Sequence, residues 1–419
     1  MQKLLVKGKK RLTGTFRVSG SKNAALPILA ASILLPGHTI IRNVPNLLDV
    51  NTMLRVLTAL GLRAEYSQSD PNRVDIWNSQ VKHVAPYELV TKMRASFFVI
   101  GPLLAVKGLA KVPLPGGCAI GSRPVDIHIK GMEQLGAEVH LEHGFVIVRA
   151  KKLKGGRVYL DFPSVGATES VMMAATRAEG ETTIENSARE PEVVDLANFL
   201  IRAGAKIEGA GTDIIHVTGG HALSPVEYSI IPDRIEAGTV MAAVAITHGN
   251  ATLTDIVPEH LEAIARKLQE SGVRVELGTN SLKVINDDGY KAVDVKTMPF
   301  PGFPTDMQPQ LASFLTLAKG TSVISETIFE NRFMHMQELR RLGAEIKLEG
   351  QSAIISGVDK LSGAPVRVSD LRAGAALLVA GLAAEGETLI EDRDHHLSRG
   401  YERIIEKFSA LGADISRVA

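Results

Sequence analysis

The chain has 419 residues, 45% of them hydrophobic, with 47 basic against 46 acidic side chains and a formal net charge of +1. That length suggests two to four domains at roughly 100–200 residues each. The balance of charge argues against a generic nucleic-acid or membrane-surface binder, and a single cysteine allows no internal disulfide and fits a reducing compartment.

The opening segment, MQKLLVKGKKRL, has no apolar core of signal-peptide length. Apolar runs such as Ala373–Ala384 fall short of the roughly 20 residues needed to span a bilayer. A cytosolic protein is expected.

In chain order, two kinds of helical segment alternate. Ser21–Leu34 is apolar almost all round, as in a helix buried on most sides. A short strand, HTIIRNV, follows it. Next comes an amphipathic segment, VNTMLRVLTAL, with apolar residues at helical spacing. The phrase LGLRAE closes the unit and leads into alternating, strand-like sequence.

The same order then recurs. The apolar segment returns at Val90–Ala105, Ser164–Ala178, Asp233–Thr247, Pro304–Ala318 and Asp370–Ala384. The closing phrase returns with its glycine at Gly136, Gly204, Gly272, Gly343 and Gly412 after Gly61, at spacings of 75, 68, 68, 71 and 69 residues. Each glycine sits where a helix end calls for a left-handed residue. The chain therefore reads as an α/β fold of six repeats, each a strand, buried helix, strand, surface helix and two further strands. Three repeats sharing one core give two domains, with the buried helices inside and the sheets outside. The expected partition is 22–230 for the first domain and 1–21 plus 231–419 for the second. The N-terminal strand would complete the last sheet.

Several buried helices open on polar residues. These are Ser21, Lys22 and Asn23; Lys92 and Arg94; Ser164, Thr168 and Glu169; Asp233 and Arg234; Thr305 and Asp306; Asp370 and Arg372. For Ser164, Asp233, Asp306 and Asp370 taken alone, helix capping is the commoner reading. Lys22, Arg94 and Arg372 resist it, because a cation is disfavoured in the first turn of a helix. Each implies a nearby carboxylate or a bound anion. Two domains with such faces opposed would place a site in an interdomain cleft.

Val112–His128, VPLPGGCAIGSRPVDIH, is a Gly- and Pro-rich loop with Cys118 at its centre and Arg123 beyond it. It lacks the spacing and the Lys-Ser/Thr end of a phosphate-cradling loop. An isolated cysteine is usually a small buried hydrophobe, but the flanking glycines leave little to bury it, and a neighbouring cation favours the thiolate. Phe300–Gln310, FPGFPTDMQPQ, stiffens the approach to Asp306, and Phe329–His335 places Arg332 before a surface helix. His335, His395 and His396 lack any spacing of zinc type, so neither a metal nor a cofactor is expected.

These residues resemble the enolpyruvyl transferases, most nearly those acting on UDP-N-acetylglucosamine and more distantly those acting on shikimate-3-phosphate. The likeness runs end to end, through SGSKNAALP, MRAS, LPGGCAIGSRPVDIH, SVGAT, GFPTDMQ, FENRF, DLRAGAALL and RGYE. It implies a two-domain inside-out α/β barrel and transfer of an enolpyruvyl group from phosphoenolpyruvate to the sugar 3-hydroxyl, through a tetrahedral ketal. That transfer is the first committed step of peptidoglycan synthesis. By this resemblance Cys118 is the loop cysteine assigned as proton donor and alkylated by fosfomycin, with Lys22 the other candidate donor. Asp306 is the candidate base.

The resemblance further places Lys22, Asn23, Cys118, Arg123, Arg372 and Arg399 at phosphoenolpyruvate. At the UDP-sugar it places Asn23, Arg94, Arg123, Pro124, Val125, Asp126, Ile127, Phe162, Pro163, Ser164, Val165, Asp306 and Ile328. Phe162 departs from members that carry lysine there, which leaves backbone contacts from Pro163–Val165. Phosphoenolpyruvate carries about three negative charges near neutral pH, so convergent cations agree with the assignment. Two other readings are a UDP-sugar-binding paralogue without activity and a sister transferase using shikimate-3-phosphate. No nucleic acid or membrane partner is expected.

Overall fold

The structure, a computed structural model, describes residues 2–116 and 125–418. The chain forms two compact units, one built from residues 20–116 with 125–231 and the other from residues 2–19 with 232–418. Each has its own apolar core, running from Ala24 to Ile230 in the first and from Leu4 to Ile415 in the second. Among the described residues no helix is long and apolar enough to cross a membrane.

The third repeat shows the pattern most fully. Arg157–Tyr159 pairs parallel with Glu181–Glu185, and the buried helix Val165–Ala175 crosses between them. A parallel pair requires such a crossover. Glu181–Glu185 then pairs antiparallel with Ile214–Thr218, which pairs antiparallel with Lys206–Glu208. The surface helix Pro191–Arg202 joins the two halves. Five four-stranded sheets and one three-stranded sheet of this kind occur among the described residues. In the second repeat the parallel edge strand shrinks to a single bridge, Val84 with Lys111.

A strand distant in sequence completes a sheet in each unit. Glu227–Ser229 pairs parallel with Gly37–Arg42. Gln2–Lys7 lies antiparallel between Glu387–Asp392 and Asp414–Val418, in the last sheet. Thr13–Arg17 pairs parallel with Asn250–Thr254.

The helices sit inside and the sheets outside, giving the inside-out α/β barrel. In Arg234–Ile246 every residue is buried, and in Leu371–Ala383 every residue but Leu371. Arg234–Ile246, Gln308–Leu315 and Leu371–Ala383 pack against one another. In the other unit a small residue permits the same closeness between Ile100–Lys107 and Val165–Ala175: a Cβ on Gly101 would lie 2.3 Å from the Ser170 carbonyl oxygen. All six glycines of the recurring phrase have positive φ, from 85° at Gly136 to 111° at Gly204. Glycine adopts that conformation without steric cost, so each surface helix can stop there.

Two of the expected buried helices open on a 3-10 stretch, and a third, Ser21–Leu34, ends on one, Ser32–Leu34. The Val90–Ala105 segment contains a 3-10 stretch, Arg94–Val99, before the α-helix Ile100–Lys107, and Pro304–Ala318 contains a 3-10 turn, Thr305–Met307, before Gln308–Leu315. Pro102 and Pro309 account for this. Proline has no N–H to donate and its ring crowds the carbonyl four residues earlier, so an α-helix is disfavoured upstream of it.

Candidate active site

Four of the polar residues that open the buried helices are caps, and Asp306 stands apart from them. The Ser21 and Ser164 hydroxyls accept from Ala24 N and Ala167 N, each at 3.3 Å. Asp233 accepts from Ile235 N and Glu236 N, and Asp370 from Arg372 N and Ala373 N, all within 3.0 Å. Asp306 lies in a 3-10 turn that starts at Pro304 with no side-chain cap.

The Asp306 carboxylate instead meets two arginines. Its Oδ1 accepts from Arg332 Nη2 at 2.9 Å and its Oδ2 from Arg372 Nη2 at 3.0 Å. The arginine side chains are 2% and 4% exposed, whereas that of Asp306 is 26% exposed. Both cations are therefore sealed behind the carboxylate, which remains open to a ligand. Burial alone would lower the Arg372 pKa, but Asp306, Tyr401 and Asp233 hold it above its ordinary value. The openings of the fourth, fifth and sixth buried helices thus converge electrostatically on Arg372. Both guanidinium Nε atoms are buried without a hydrogen-bond partner. Each such orphan costs about 1–3 kcal/mol, an expense typical of residues placed for chemistry rather than stability.

Beside this cluster, Glu326 (1% exposed) joins two loops. Its Oε1 accepts from Thr297 Oγ1 and Ile328 N at 2.8 Å and from Phe329 N at 3.3 Å, and its Oε2 accepts from Thr305 Oγ1 at 3.0 Å. One carboxylate therefore fixes both the residue before Asp306 and the backbone of Ile328. His335 is also buried nearby. Burial pushes its pKa down to about 4 against the pull of Asp370, and Arg332 adds to the fall. Arg399 lies, half-buried, in the short helix His396–Gly400, which Asp392 caps through His396 N and Leu397 N. His395 takes a left-handed backbone at the start of that helix.

In the first of the two units, Lys22 finds the carboxylate that its position demanded. Its Nζ lies 2.9 Å from Asp49 Oδ2, with the side chains 11% and 6% exposed. Asn23 follows it, half-buried. Arg94 opens its 3-10 stretch near His128, whose pKa falls to about 3 through burial and the Arg94 charge. The His128 ring, which keeps some accessible surface, stacks edge-on against Phe97 and meets Ser170 Oγ at 3.1 Å.

Val125, Asp126 and Ile127 form the start of the helix Asp126–Gln134. Phe162 is exposed and Pro163, Ser164 and Val165 are half-buried at the opening of the third buried helix. One turn in, Glu169 is fully buried with neither oxygen hydrogen-bonded. Burial and then the charges of Glu192 and Glu190 push its pKa well above the usual carboxylate range. Cys118, Arg123 and Pro124 lie outside the described residues.

Asp49, Glu326, Thr239, Gln310 and Tyr401 were not singled out from the sequence. Asp49 stands in the first turn of Leu48–Ala59, where an acid suits the helix dipole and draws no notice. Tyr401 lay within the quoted RGYE phrase without a role. No group of three His, Cys, Asp or Glu side chains able to hold a metal occurs among the described residues.

The geometry agrees with comparison to known proteins. The family model for EPSP synthase (3-phosphoshikimate 1-carboxyvinyltransferase) matches residues 6–408. UDP-N-acetylglucosamine 1-carboxyvinyltransferase 1 of Caldanaerobacter subterraneus subsp. tengcongensis is 53% identical over 416 residues, covering 99% of both chains. UDP-N-acetylglucosamine 1-carboxyvinyltransferase of Geobacter metallireducens is 54% identical over 419 residues, covering 100% of both. Among solved structures, the enolpyruvyl transferase NikO from Streptomyces tendae superposes with a TM-score of 0.89 at 26% identity, over 100% of this chain and 99% of that one. EPSP synthase from Acinetobacter baumannii has a TM-score of 0.74 at 18% identity, over 99% of this chain and 100% of that one, and shows the fold alone. The chain belongs to the EPSP synthase family, among relatives that are UDP-N-acetylglucosamine 1-carboxyvinyltransferases.

Proposed function

We propose that the chain transfers the enolpyruvyl group of phosphoenolpyruvate to the 3-hydroxyl of UDP-N-acetylglucosamine, releasing phosphate, in the cytosol and as the first committed step of peptidoglycan synthesis. The observation that carries this reading is the Asp306 carboxylate held between Arg332 and Arg372, in a chain 53–54% identical, end to end, to proteins named for that acceptor.

The reaction balances with the two substrates alone. The sugar oxygen bonds to C2 of phosphoenolpyruvate while its methylene carbon gains a proton, giving a tetrahedral ketal. The C–O bond to phosphate then breaks and the methyl group returns a proton, restoring the double bond. Asp306 takes the hydroxyl proton, a role that suits a partly accessible carboxylate held in place by two buried guanidinium groups. Cys118 or Lys22 protonates the methylene. Lys22, Asn23, Arg123, Arg372 and Arg399 neutralise phosphoenolpyruvate, while Arg94, residues 123–127 and 162–165, and Ile328 hold the UDP-sugar.

Phosphate release from phosphoenolpyruvate tests the proposal. It should require UDP-N-acetylglucosamine. Release driven by shikimate-3-phosphate would instead favour the sister transferase, and binding of the UDP-sugar without turnover would favour a sensor. Cys118→Ser should lose most turnover and fosfomycin labelling with folding retained. An unreactive Cys118 thiol in the native protein would remove the loop from the mechanism.

A further inference from the structure

Tyr401 is 3% exposed, and its hydroxyl lies at the meeting point of three buried helices. It is 3.0 Å from Thr239 Oγ1, 3.1 Å from Gln310 Nε2 and 3.2 Å from Arg372 Nη1. With Gln310 Nε2 facing the pair and its Oε1 buried without a hydrogen bond, counting donors gives each bond a direction. Thr239 donates its one hydrogen to Ile235 O at 2.7 Å, so toward Tyr401 it can only accept. The tyrosine hydrogen therefore goes to Thr239, and the tyrosine oxygen accepts from both Arg372 and Gln310. The second Gln310 N–H goes to Thr239 Oγ1 at 3.0 Å. The hydroxyl is saturated and has one orientation.

Arg372 stands in the first turn of its helix, where the dipole repels a cation. Its Nη2 is anchored on Asp306 and its Nη1 on Tyr401, its Nε has no partner, and its Cζ lies 5.5 Å from the centre of the Tyr401 ring. Two anchors define a plane, whereas one leaves a hinge. We propose that Tyr401, oriented by Thr239 and Gln310, is a positioning residue that sets the Arg372 guanidinium against Asp306 and so fixes the charge of the base. This rests on the enolpyruvyl-transfer reading of the site.

The test compares Tyr401→Phe with wild type in steady-state assays across pH. The ring and its contact with Arg372 survive, and only the hydroxyl is lost. The expected result is a fall in kcat of about 10- to 100-fold, the usual scale for misplacing a group at the reacting centre, with a smaller change in KM for either substrate. The acid limb of kcat should also move to higher pH, because a less firmly held cation favours ionised Asp306 less.

Thr239→Val should behave like Tyr401→Phe, and Thr239→Ser, which keeps the acceptor, should restore both turnover and the pH profile. That pair decides the matter if Tyr401→Phe fails to fold. An unchanged pH profile in Tyr401→Phe, or equal defects in Thr239→Ser and Thr239→Val, would overturn the proposal and leave a packing role. Failure of the wild type to release phosphate would instead reject the enolpyruvyl-transfer reading, independently of the variants.

Discussion

Asp306 and Arg372, 66 residues apart in the chain, share a 3.0 Å ion pair in which the carboxylate keeps a quarter of its surface and the guanidinium is sealed. Accessible anion over buried cation is the arrangement a base needs, since ligands reach the carboxylate and water does not reach its counter-charge. Asp306→Ala should therefore lower kcat by about 10²–10⁴-fold, the range of general-base catalysis, with far smaller changes in KM. Equal losses in the two constants would assign Asp306 to binding. The variant also leaves two buried guanidinium groups short of a carboxylate, so it should lose about 3–5 kcal/mol of stability, measurable by urea unfolding.

How far the sequence disclosed this site depends on the distance between its parts. The glycine of each repeat is a local matter: a helix ends, a left-handed residue is needed, and glycine meets the need without help from elsewhere. All six were legible. Asp306 looked locally like a cap, as did Asp233 and Asp370, which are caps. What turns its carboxylate aside is Arg332, 26 residues on, and Arg372, and no periodicity reports a pairing at that range. The misplaced cations did announce partners. Lys22 called for an anion, but only folding selects Asp49 from the available carboxylates. The breaks before Pro102 and Pro309 were visible as prolines, yet apolar composition outweighed them in the reading of one continuous helix.

Lys22 and Asp49 yield a second prediction. With both side chains nearly buried, removing Asp49 takes a close counter-charge from Lys22, and breaking such a pair costs about 3–5 kcal/mol. Asp49→Ala should therefore destabilise the protein by up to that order. It should also raise KM for phosphoenolpyruvate, because the 2.9 Å contact that helps orient the Lys22 ammonium is lost. A normal KM in a destabilised variant would confine Asp49 to folding.

Glu326 ties Thr305 to the backbone of Ile328 and Phe329. Glu326→Ala removes both acceptor oxygens and with them every one of these bonds. The expected outcome is a several-fold rise in KM for UDP-N-acetylglucosamine with little change for phosphoenolpyruvate. Equal changes for both substrates would show that the loop does not read the sugar.

His335 makes stability depend on pH with a definite sign. Its folded pKa, about 4, lies below the ordinary 6.5, so between those values the unfolded chain binds a proton that the folded chain refuses. Stability then falls as pH drops through that window, at about 1.4 kcal/mol per pH unit, and the loss reaches about 2 kcal/mol at pH 5. Leucine has a similar volume and carries no proton. His335→Leu should therefore unfold at a higher urea concentration than wild type at pH 5, by more than any difference at pH 8. The same comparison on a Tyr401→Phe background should give the same increment, since Tyr401 contributes no charge in that window. A gain of equal size at both pH values would attribute the effect to packing, and would mean that the imidazole is protonated alike in the folded and unfolded chains.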